Sequence, residues 1–156
     1  MKDSFLVNWD EINKTTLDFL NCIPKEKFNV KPFDPRFKSF AWEFSCILTT
    51  RLGYIRGIKF GELDGTCFIE NDDDFSKQSF EEILKKLNET GTIIEELIKS
   101  CPEKINYFGK KTEIFTVLSW LLQHEQFHYG KLLLYFAKAE LELPLSLKNM
   151  WGENNF

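Results

Sequence analysis

Histidine and proline are scarce in this chain, and its cysteines show no pairing pattern. Cys22, Cys46, Cys67 and Cys101 are scattered over 156 residues with no C-x-x-C. That spacing excludes a zinc ribbon or a thioredoxin-type motif and reads as free thiols in a reducing compartment. No run of Lys and Arg is dense enough to track phosphates, and the net charge is −4, which argues against a nucleic-acid partner. The longest apolar stretch, residues 114–122, includes Thr116 and Ser119 and is far too short to span a bilayer. Residues 1–11 lack a charged-then-apolar leader pattern, so the expected location is cytoplasmic, without membrane partners. Alternating strand patterns are nearly absent, and there is no internal repeat or low-complexity segment.

The chain does have a large apolar complement. Apolar residues make up 43% and aromatics 15%, with sixteen Phe and four Trp. At this length the expectation is one soluble domain, residues 1–156, with a core that needs no staples. Four segments carry 3.6-residue periodicity. The first runs over about residues 5–22, with Leu6, Trp9, Ile12, Thr16, Leu17 and Leu20 in its stripe, and Pro24 ends it. Pro32 and Pro35 break any helix in the connection that follows. The second spans about 38–59, with Phe40, Phe44, Ile47, Leu48, Leu52 and Ile55. Gly61, Gly65 and the acidic run from Asn71 to Asp74 then read as a solvated loop. A capping box, Ser79 with Glu82, starts the third helix, which runs to Ser100. The fourth covers about 112–139, and Pro144 keeps the tail from continuing it. Four amphipathic helices joined by loops predict an all-α four-helix bundle. The tail, residues 143–156, carries Leu145, Leu147, Met150 and Trp151, suited to packing on the bundle or on a partner in a homodimer.

The only two histidines, His124 and His128, are four residues apart. On a helix that spacing puts both imidazoles on one face, a turn apart, where they can chelate one divalent metal. They share a core-facing stripe with Val117, Leu121 and Tyr135. Burying two titratable rings beside apolar neighbours costs several kcal/mol unless they are bonded or metallated, which favours a metal site over a pair of satisfied core histidines. A bundle-core site needs a further ligand from another helix. The second helix offers Cys46, on a face with Ser39, Trp42, Thr50, Gly53 and Gly57, and Glu43 is a reserve oxygen ligand. The two glycines serve either close helix packing or open volume beside a ligand. Cys46, His124 and His128 would leave a fourth position free, as catalytic zinc sites do. The letters also satisfy H-E-x-x-H. A protease would need a substrate-aligning sheet and a downstream ligand, for which only Glu140, Glu142 and Glu153 remain, and the protease reading is set aside.

In this order the pieces resemble the DinB/YfiT superfamily of metal-binding four-helix bundles. The likeness rests on a Trp-bearing first helix leading to Ile23-Pro24-Lys25-Glu26-Lys27-Phe28 and Lys31-Pro32, and on the second helix at Lys38-Ser39-Phe40-Ala41-Trp42-Glu43-Phe44-Ser45-Cys46-Ile47. It continues in His124-Glu125-Gln126-Phe127-His128-Tyr129-Gly130-Lys131 and the amphipathic stretch up to Pro144. The resemblance implies a site for zinc or nickel built from three histidines. His124 and His128 match two of them, and Cys46 falls where the first normally stands. Tyr129-Gly130-Lys131 departs from the Arg-Gly-Gln often found in the family at that point.

The family includes thiol S-transferases that use low-molecular-weight thiols such as bacillithiol, a mycothiol-dependent isomerase and proteins described as metal-dependent hydrolases. Three readings follow. The first is a metal-dependent transferase joining a thiol to a small-molecule electrophile. The second is a hydrolase with Glu125 or Glu43 as a weak candidate base, although Glu125 points about 100° from His124, which suits a salt bridge better. The third is a non-catalytic metal-binding or dimeric bundle. A Cys ligand makes the metal a poorer Lewis acid than three neutral imidazoles would, which tilts the balance from water activation toward thiol chemistry.

Overall fold

The computed structural model describes residues 2–152. Four long helices dominate: α1 (Lys2–Asn21), α2 (Phe40–Phe60), α4 (Phe80–Ser100) and α5 (Ile114–Ala139). Two short ones, α3 (Asp72–Phe75) and α6 (Leu145–Trp151), fill a loop and the tail. The fold is all-α, and each long helix lies within a few residues of its sequence stripe. Ser39 caps α2 by accepting from the Trp42 backbone N–H at 3.2 Å. The Ser79–Glu82 capping box opens α4 with both reciprocal bonds formed. Gly61 closes α2 in the left-handed region, φ 75°, where a side chain would be strained.

Among the long helices, α1 and α2 each pack against both α4 and α5. This sets α1 and α2 on one diagonal of the bundle and α4 and α5 on the other. One cluster of the core, with Phe19, Phe28, Phe40, Phe44, Tyr135 and Phe136, fills one end. A second, with Trp9, Ile58, Leu63, Ile94, Ile105 and Leu118, fills the other. The membrane expectation stands as far as helices go: among the described residues, no helix is long and apolar enough to cross a bilayer.

Four details differ from the sequence reading. Residues 101–113 form a hairpin, β2 (Lys104–Tyr107) and β3 (Lys110–Glu113), and the two-residue β1 (Glu62–Leu63) adds to β2 in parallel. The structure therefore carries a small three-stranded sheet, and Thr112 belongs to β3 rather than to the last helix. Phe108 and Gly109 form the hairpin turn, both at positive φ, as a two-residue turn between twisted strands requires. The acidic run is exposed at Asn71, Asp73 and Asp74 but forms a short helix rather than a turn. Asn71 caps α3, Asp72 is bonded to Thr49, and Asp73 accepts from Trp42 Nε1 at 2.9 Å. In the tail, Leu147 buries itself in its own bundle while Leu145 stays exposed. Glu153 and Phe156, which the tail reading included, lie outside the described residues.

The glycines of α2 resolve toward packing. A Cβ on Gly53 would meet the Phe68 ring at 2.4 Å, and one on Gly57 would meet Leu63 at 2.3 Å. The chain after α2 folds back onto the notches those glycines leave, so they are not open volume beside a ligand.

Candidate metal centre

Cys46 on α2 and His124 and His128 on α5 meet where these two helices cross. One donor atom from each residue lies within 4.8 Å of the others. His124 Nε2 is 3.3 Å from His128 Nε2 and 3.8 Å from Cys46 Sγ. His128 is buried, whereas His124 and Cys46 are half-buried, so the cluster has an inner wall and an outer, solvent-facing side.

The two donor distances from His124 fit a tetrahedral ion. Zinc bonded at about 2.05 Å to nitrogen and about 2.3 Å to sulfur separates N from N by roughly 3.3 Å and N from S by roughly 3.6 Å. The tautomers also fit. Glu43 Oε2 lies 2.7 Å from His128 Nδ1, and a carboxylate there demands an N–H, which leaves the His128 Nε2 lone pair facing the cluster. His124 presents Nε2 to Cys46 and His128, while its buried Nδ1 has no partner among the described residues.

Charge in the cluster is set by burial. The His124 imidazolium is disfavoured by burial first and by neighbouring His128 second, which pushes its pKa down to about 4. The Cys46 thiol is pushed up to about 12 by burial first and by the Asp72 carboxylate beside it. At neutral pH the centre therefore presents His124 as a neutral imidazole and Cys46 as a thiol whose proton a bound metal must displace.

The two candidate carboxylates behave differently from the reading that made them bases. Glu43, read also as a reserve ligand, is buried and accepts from His128, from Lys131 Nζ at 2.9 Å and from Tyr135 OH at 3.0 Å. Burial alone would raise its carboxyl, but the bonds from His128 and Lys131 outweigh it and hold the group below the usual range. It orients His128. Glu125 faces the core, where Arg51 pairs with both its oxygens at 2.6 and 2.8 Å and Thr16 donates to it at 2.5 Å. Neither carboxylate has an oxygen free to act as a base. The role of Lys131 escaped the sequence reading because its partner Glu43 comes from the facing helix, while Thr50 was read only as a neighbour on the Cys46 face, without its approach to His124. Tyr135 gave one signal, its place on the histidine stripe. Lys131 sits between the rings of Trp42 and Phe127, at 5.5 and 5.1 Å.

A family model for the DinB superfamily matches residues 8–132. The crystal structure of a DinB-like protein from Bacillus cereus ATCC 10987 resembles this one with a TM-score of 0.70, at 18% identity. The likeness covers 91% of this chain and 95% of that one, and at such identity it speaks for the fold alone. Among curated proteins, none matches this sequence.

Proposed function

The chain belongs to the DinB superfamily, and on that premise we propose that it is a metal-dependent thiol S-transferase, with zinc as the preferred ion and nickel as the alternative. The observation that carries this reading is the convergence of donor atoms of Cys46, His124 and His128 within 4.8 Å of one another beside a solvent-facing side. One thiolate and two imidazoles favour zinc among the common divalent ions.

A divalent ion held there would keep a bound thiol deprotonated at neutral pH. The residues supply the rest. His128 is aimed by Glu43, which Lys131 and Tyr135 hold in place. The thiol proton would leave to solvent, and the thiolate sulfur would form a C–S bond to an electrophilic carbon as the C–X bond broke and X departed as an anion. Exposed Phe127 and half-buried Trp42 offer apolar surface near Lys131 for the electrophile. Transfer of a thiol needs no general base once its proton is gone. Hydrolysis would be helped by one, and Glu43 and Glu125 are both committed to other bonds, so the transferase reading is preferred over the hydrolase.

The test is direct. Tag-free protein loaded with zinc, given a low-molecular-weight thiol and an aromatic halide, is expected to form the thioether faster than the thiol alone. His124→Ala should abolish both the zinc and the rate. Equal rates with and without the protein across several thiols would sink the transferase reading, and zinc retained in a His124→Ala, His128→Ala double variant would sink the site.

A further inference from the structure

The donor cluster has one more polar neighbour, Thr50, which sits one helical turn after Cys46 on the same face of α2. Its hydroxyl is 3.4 Å from His124 Nε2, a separation comparable to the 3.3 and 3.8 Å edges of the donor triangle. His124 is the single hydrogen-bond partner of that hydroxyl among the described residues. Neighbouring Thr49 differs, since its hydroxyl is bonded to the Cys46 carbonyl and to Asp72. Lys131 and Tyr135, the other donors close by, are turned toward Glu43. Thr50 is half-buried, so its hydroxyl is sheltered but not sealed from what enters.

We infer that Thr50 marks the coordination position left by Cys46, His124 and His128 and donates a hydrogen bond to an anionic donor atom, a small thiolate, that enters there. A neutral alcohol is not among the usual zinc ligands, which are thiolate, imidazole and carboxylate, so the hydroxyl serves as a donor and not as a fourth ligand. A dication with one Cys thiolate keeps a single positive charge, which an incoming thiolate neutralises. A hydrogen bond to that charged sulfur is stronger than one to a neutral ligand. Thr50 is thus a specificity-determining residue that selects an anionic ligand over neutral thioethers. This inference rests on the metal-centre reading given above.

Cobalt(II) provides the readout, through its thiolate charge-transfer band. Wild type and Thr50→Val are loaded with cobalt and titrated with 2-mercaptoethanol while retained metal is measured. Both should hold one cobalt per chain, and the variant should bind the thiol about tenfold more weakly or worse, with Thr50→Ser restoring most of the affinity. If Thr50→Val fails to load, Thr50→Ala gives the same reading. Thiol affinity in the variant equal to or tighter than wild type would overturn the role of Thr50, as would a cobalt-loaded wild type that takes up no thiol. A wild type that binds no cobalt fails one step earlier and overturns the metal centre itself, so the two failures are distinguishable.

Discussion

With its thiol pushed up to about 12, Cys46 keeps its proton at neutral pH until a metal displaces it. His124, pushed down to about 4, is already neutral there. Zinc binding at pH 7 should therefore displace the Cys46 proton, measurable by calorimetry in buffers of different ionisation enthalpy. If Cys46 is no ligand, the proton release is the same in wild type and Cys46→Ala. Cys46→Ser should weaken zinc sharply, and Cys46→His should be tolerated, since it restores three imidazoles. Glu43 acts one bond further out: Glu43→Gln loses the charge that holds Lys131 and His128, and zinc affinity should drop about 10- to 100-fold in a competition titration with a chelating dye. At this scale the shared face of His124 and His128 was legible because an i, i+4 spacing dictates it, and Cys46 was suggested by the further ligand that a bundle-core site needs. The Lys131 and Asp72 contacts and the approach of Thr50 to His124 were not legible, because each depends on which helix lies opposite.

Among the elements, the α2–α5 crossing is secured by Arg51 and Glu125, both buried, with Asn13 Oδ1 and the Leu87 carbonyl accepting further Arg51 protons at 2.8 and 3.1 Å. Arg51 also lies 4.9 Å from the centre of the Trp9 ring. Removing one partner strands a buried charge, so Arg51→Ala should lower stability by roughly 3–5 kcal/mol in urea unfolding. A loss below about 1 kcal/mol would mean that water reaches the pair. Gly57→Ala should cost about 1–3 kcal/mol by overpacking, since Leu63 backbone, which cannot rotate away, lies 2.9 Å from the added carbon. Helix ends were legible where a side chain makes the cap, as Ser79 and Glu82 do. The hairpin was not, because four-residue strands such as Lys104–Tyr107 are too short to display alternation, and α3 was not, because Asp72 and Asp73 find their partners on α2.

For the whole molecule, the metal-free fold should be most stable in a window bounded by the two perturbed groups. His124 has a folded value of about 4 against the ordinary 6.5, so between those pH values the unfolded chain binds more protons. Its contribution is complete above about pH 6.5 and disappears as pH falls toward 4, a loss of at most about 3 kcal/mol. Cys46 is raised from 9.0, so its contribution is present below about pH 9 and disappears as pH rises toward 12. Thermal melts of chelator-treated protein should trace this dome. At pH 7, free zinc a thousandfold above its dissociation constant should add about 4 kcal/mol, and a melting temperature unmoved by chelator would refute binding to the native state.

The Arg51–Glu125 pair has a consequence for the speed of metal exchange. It ties α2 to α5 without any ion, and Glu125 stands between His124 and His128 in the chain, so the donors stay in register when the site is stripped. Reloading then requires only ligand exchange, and not refolding. After a chelator pulse, stopped-flow zinc uptake should be a single second-order phase, while a lag that tracks the folding rate would show that the donors disperse on stripping.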